Sequence, residues 1–166
     1  MLAWRRIEAA LRTFPDRRGW IAVLCELAWG VPLIVAMAFA GGLARFDPAP
    51  FDGQWLRVFF LVMIVPAFAE ELLFRALIVP RPERPFALWQ GALCVGAFVV
   101  WHPFQAFTFG PPWSAVFLDP WFLTAVALLG TMLVRLYRAT GSLWPCIATH
   151  WLVVMSWKLF FGGPFG

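Results

Sequence analysis

Ala69-Glu70-Glu71-Leu72-Leu73-Phe74-Arg75-Ala76 sets two adjacent carboxylates and an arginine in the middle of an apolar segment running from about Trp55 to Pro80. That segment is long enough to cross a bilayer. A charged side chain at the centre of hydrocarbon costs on the order of 3 kcal/mol, so such groups face a bundle interior or a water-filled cavity and serve a function there.

The rest of the chain fits that setting. Of its 166 residues, 62% are apolar and only 13% are charged, where a soluble domain carries about 25% charge. Apolar runs of spanning length recur, and the fold class expected is an all-α polytopic membrane bundle of about five spans. They are read at Trp20 to Ala44, Trp55 to Val79, Phe86 to Phe104, Trp121 to Tyr137 and Leu143 to Phe161. Proline and glycine clusters separate them, among them Asp47-Pro48-Ala49-Pro50 and Pro80-Arg81-Pro82-Glu83-Arg84-Pro85. Pro32 and Pro66 lie inside spans and are expected to kink them. The domain organisation expected is a basic segment over 1–19 followed by a single bundle over 20–161.

Charge predicts an orientation. Arg5, Arg6, Arg12, Arg17, Arg18, Arg81, Arg84, Arg135 and Arg138 fall on alternate connections, so they share one side of the bundle, while the other side has only Arg45, Arg57 and Lys158. The positive-inside rule then places the N-terminus in the cytoplasm. The segment from Trp4 to Phe14 has amphipathic character suited to an anionic leaflet. The net charge of +4 reflects topology and lipid contact, and no nucleic-acid partner is expected. The first apolar run is a full span that begins after twenty residues, which does not read as a cleaved signal peptide. Cys25, Cys94 and Cys146 have no metal-ligand spacing and read as small apolar residues.

Glu71 and Arg75 are four apart, share a helix face and can pair. Glu70 points about 100° away around an α-helix. Arg75 can neutralise Glu71, which leaves Glu70 as the reacting carboxylate. The chain has two histidines, both within predicted spans. His102 follows Phe98 by one helical turn, so that ring can pack on the imidazole; His150 lies in the last span. A single intramembrane histidine can be a helix–helix hydrogen bond. A diglutamate and two histidines on three separate spans point to a shared site. Counted from the cytoplasmic interface, Glu70 and His150 lie at similar depth in the inner half, with His102 several ångströms further out.

The set Glu70-Glu71-x-x-x-Arg75, Phe98-x-x-x-His102, and His150 preceded by Gly141-Ser142-Leu143-Trp144-Pro145 resembles the CPBP family. These are glutamate-type intramembrane endopeptidases related to the type II CAAX prenyl protease and to bacterial abortive-infection and bacteriocin-immunity proteins. The resemblance covers about residues 66–157. It implies that Glu70 and His102 activate a water, that His150 helps hold the scissile carbonyl oxygen, and that Glu71 and Arg75 brace the site. No cofactor is implied, and the partner is a membrane-embedded protein or peptide substrate within the lipid bilayer. Two positions depart from the family's pattern. Val154 stands where Asn or another small polar residue is common, and Ala76 where glycine is common. The indole N–H of Trp151 or Trp157, or the hydroxyl of Thr149, could replace the missing donor; otherwise His150 acts alone or hydrolytic power is lost.

Other chemistries remain open on sequence. Zinc could be held by Glu70, His102 and His150, and Cys146 lies four residues before His150 on the same helix face, where the two could form a thiolate–imidazole pair. A binding protein of the immunity or chaperone kind on the same fold is the main alternative to an enzyme, and a proton-coupled transporter is a third class. The loop Gln105 to Asp119 reads as an interfacial cap or a substrate lid, and Glu26 as a buried hydrogen-bonding or lipid-interface carboxylate outside the site.

Overall fold

The structure, a computed structural model, describes residues 2–164, and no β-strand occurs among them. The helices are α1 (Leu2–Arg12), α2 (Arg17–Ala40), α3 (Gly53–Val62), α4 (Leu88–Thr108), α5 (Pro120–Thr140) and α6 (Trp144–Phe160). Helix α3 continues without a break into two π-helical stretches, Met63–Glu70 and Leu72–Ile78, and a 3₁₀ turn covers Ser114–Leu118. Three helices, α2, α4 and α5, are long and apolar enough to cross a membrane. The last helix has 17 residues and the expected second span is divided among three helical segments. Each expected span nonetheless coincides with helix to within a few residues.

Local chemistry sets the helix starts. Asp16 caps α2 by accepting from the Gly19 amide at 2.7 Å, and Asp52 caps α3 by accepting from Gln54 at 2.9 Å. Asp119 accepts from both Trp121 and Phe122, with Pro120 in the first helical turn of α5. Helix α5 ends at Gly141, whose φ of 64° is the left-handed conformation that favours glycine.

Helix α5 forms the centre. Its buried face, including Leu129, Met132, Leu133 and Leu136, packs against α2 and α4. Gly30 lets α2 approach closely, since a Cβ there would fall 2.1 Å from the Met132 sulfur. On the other side α6 packs against the first π-helical stretch and α3.

The two ends of the bundle differ. At one end, α1 docks on the loops after Ile78 and after Thr140. Arg6 donates to the Val79 carbonyl at 2.8 Å, Leu143 N to Ala10 O at 3.1 Å, and the Trp144 indole to Leu11 O at 2.8 Å. Arg138 also donates to the carbonyls of Pro80, Arg81 and Arg84. The three arginine-bearing connections are thus in mutual contact, as their alternation in sequence predicts. The Arg81 guanidinium beside Glu83 holds that carboxyl below the usual carboxylate range. The opposite end gathers Arg45 and Asp47, which pair at 2.7 Å, with Phe161 in a single parallel β-bridge.

Candidate active site

The ring of Pro66 would collide with the Val62 carbonyl in an α-helical turn. The chain instead widens to i→i+5 geometry from Met63 onward, and that wider helix carries Glu70. The expected kink at Pro66 is therefore a change of helix type. Helical π segments cluster at functional sites in general.

Glu70, Glu71, Arg75, His102 and His150 are all buried. Arg75 Nε lies 3.1 Å from Glu71 Oε2, both side chains being fully buried, so the pair expected from the spacing is in place. The other oxygen of Glu71 is 2.9 Å from His150 Nδ1. A carboxylate can only accept, so the shared proton sits on Nδ1. Glu71 thus links the arginine to the final-helix histidine, a connection the sequence does not display.

Phe98 is the hub of the cluster and is fully buried. The Arg75 guanidinium lies over its ring at 4.3 Å, a cation–π contact. His102 meets Phe98 edge-on with centroids 5.1 Å apart, and His150 does so at 5.7 Å. The depth mismatch counted for His102 is thereby bridged by one phenyl ring. His102 Nδ1 is 2.9 Å from the Phe98 carbonyl, which can only accept. In the neutral imidazole that leaves Nε2 with its lone pair free to take a proton.

Glu70 is held differently from Glu71. Its Oε1 accepts from the Trp101 indole at 2.9 Å, while Oε2 is buried with no hydrogen-bond partner among the described residues. Glu70, Phe98, His102, Thr149, His150, Val154 and Trp157 all line one cavity of about 810 Å³. An orphan carboxylate oxygen and an imidazole lone pair in one cavity can together accept protons from a water. Among the described residues, no three His, Cys, Asp or Glu side chains come together closely enough to share a metal ion, Glu70, His102 and His150 included. Cys146 is fully buried, with its thiol directed to the carbonyls of Leu133 and Ser142.

Residues 52–156 match the profile of the family described as Type II CAAX prenyl endopeptidase Rce1-like. The chain belongs to this family. The match includes every residue of the cluster and more than half of the chain. No curated protein and no solved structure was found to match it. Family membership and the apolar helices make the chain an integral membrane protein of a protease family whose substrates are membrane-associated peptides.

Within this family member, the donors expected to replace a polar residue at Val154 are unequal. The Trp151 indole is taken by the Phe59 carbonyl at 3.2 Å and the Trp157 indole by Leu43 O at 2.7 Å. Both are committed to bracing helices, so neither has a free N–H for a substrate oxygen. Thr149 stays on the cavity wall with His150, and Val154 is an apolar part of that wall. Sequence reasoning passed over Trp101 and Phe117. Trp101 adjoins His102, but adjacent helical residues point about 100° apart, so nothing in the spacing places its indole on Glu70. Phe117 comes from the 3₁₀ turn and meets His102 edge-on at 5.4 Å; the segment expected as a loop from Gln105 stays helical to Thr108, and the loop from Phe109 to Asp119 folds back over the site.

Proposed function

We propose that the chain is an intramembrane endopeptidase that hydrolyses a peptide bond of a membrane-anchored protein or peptide, with Glu70 and His102 activating the water. The observation that carries this reading is the unpartnered Oε2 of Glu70, on a residue that lines the same cavity as His102 and His150. A positioned base of this kind contributes about 10²–10⁴-fold to a rate. His150 donates to the developing oxyanion from Nε2. Since Nδ1–H is engaged with Glu71, that role requires the imidazolium, and the Glu71 carboxylate stabilises its charge. Arg75 and Phe98 hold Glu71 and both imidazoles in register. Thr149 is the second donor on the wall, in place of the residue that Val154 cannot supply.

The same reading takes the bundle over 20–161 as one domain with five crossings and a cytoplasmic N-terminus. The grouping of nine of the thirteen cations on one end supports that orientation. In cells lacking the gene, membrane proteomics should reveal proteins that keep an anchor segment. Wild-type chain should restore their cleavage, and the Glu70→Gln chain should not. Full restoration by Glu70→Gln would refute the mechanism.

A further inference from the structure

The cavity has a direction. Its lining runs from Glu70, Phe98 and His150 to Gln54, Arg57 and Lys158. Among the described residues, none of its lining comes from 1–26, 71–97 or 130–148. Those three stretches carry Arg5, Arg6, Arg12, Arg17, Arg18, Arg81, Arg84, Arg135 and Arg138. The site therefore communicates with the cation-poor end of the bundle.

The cation-rich end is closed. Ala10, Val79 and Leu143 are fully buried there, and α1 is fastened over the bundle by its bonds to Val79 and from Leu143 and Trp144. A peptide arriving from that side would have to displace α1 and break those hydrogen bonds. At the other end the loop that carries Phe117 folds over His102, but it enters the cavity wall through Pro111, Trp113 and Phe117, and the rim at Gln54 and Arg57 stays exposed. One flank of the cavity is also apolar and outward-facing: Val35 and Phe39 on α2, with Leu61 and Val65 beyond Arg57 on the next helix, line it and are more than one-third exposed. An apolar anchor lying in hydrocarbon fits that flank, with its polar continuation at the cation-poor end beside Arg57 and Lys158.

The positive-inside rule places cationic connections in the cytoplasm. We infer that the active-site cavity opens on the non-cytoplasmic face, so that the substrates are membrane anchors of polypeptides already carried across the membrane, and not tails of cytoplasmic proteins. The substrate class rests on the protease reading above; the sidedness of the cavity does not.

Cysteine accessibility tests the sidedness. In a Cys25→Ala background, which leaves only the buried Cys94 and Cys146, Ser156→Cys puts a thiol on the cavity wall and Arg84→Cys marks the cation-rich end. A charged, membrane-impermeant thiosulfonate should modify Ser156→Cys in intact cells, and Arg84→Cys only in inside-out vesicles. Gln54→Cys, at the exposed rim, controls for reagent delivery. Modification of Ser156→Cys from the cytoplasmic side alone would overturn the inference. So would its failure to react from either side while Gln54→Cys reacts from outside. The proteins that accumulate uncut with Glu70→Gln test the substrate class. Exported domains with retained anchors are expected, whereas cytoplasmic proteins with intact tails would overturn it. If nothing accumulates although Ser156→Cys reacts from outside, the protease reading fails and the sidedness stands.

Discussion

Two carboxylate clusters lie inside this bundle, and they differ in what is left over. Glu26 on α2 accepts from Arg135 Nε at 2.7 Å on one oxygen and from the Trp29 indole at 3.1 Å on the other. Both oxygens are used, and the Arg135 side chain is 60% exposed. Glu70 has one oxygen bound by Trp101 and one unpartnered among the described residues, beside a cavity and two histidines. A saturated carboxylate joins helices; an unsaturated one in a cavity can accept a proton. Burial alone does not separate the two, because Glu26 and Glu70 are both 7% exposed.

The largest expected effect falls on turnover. Glu70→Gln keeps the shape and an acceptor for the Trp101 indole but removes the base, so cleavage of a membrane-anchored reporter should fall by roughly 10²–10⁴-fold. Next comes stability. Arg75→Ala strips the buried Glu71 of its guanidinium partner and leaves it only the bond to His150; breaking such a buried pair costs about 3–5 kcal/mol and should show in detergent unfolding. Glu26→Gln should cost about 1 kcal/mol, because its partner is largely in contact with solvent or headgroups, and should leave the cleavage rate unchanged. A large loss of cleavage in Glu26→Gln would break the contrast between the clusters.

The smallest effect is at Glu83, outside the spans. Arg81 holds its carboxyl low, so the pair stabilises the fold above the ordinary carboxylate value of 4.5 and that contribution is lost as pH falls through the folded value. Glu83 is mostly exposed, so Glu83→Gln should change stability by less than about 0.5 kcal/mol at neutral pH, and by less still in acid.

Much of this was legible in the sequence, for reasons that are local or compositional. The helix positions follow from apolar run length, the Glu71–Arg75 pair from a four-residue spacing, and the Phe98–His102 packing from the same spacing on α4. The alternation of arginines predicted which connections meet at one end. The rest depends on tertiary placement. The bond between Glu71 and His150 joins residues 79 apart in sequence. Trp101 reaches Glu70 only because the two helices are packed as they are, and the indoles of Trp151 and Trp157 are consumed by carbonyls on distant segments. The π-helical geometry leaves no periodic trace in so apolar a stretch, and Pro66 is its one visible sign.

The central claim is a division of labour between two neighbouring carboxylates: Glu70 reacts, and Glu71 holds Arg75 and His150. Glu70→Gln and Glu71→Gln, purified side by side and measured for both thermal unfolding in detergent and cleavage of one membrane-anchored reporter, test it most directly. Glu70→Gln should unfold close to wild type and be inactive, whereas Glu71→Gln should unfold at a clearly lower temperature. Normal cleavage by Glu70→Gln, or a Glu71→Gln protein as stable as wild type, would contradict it.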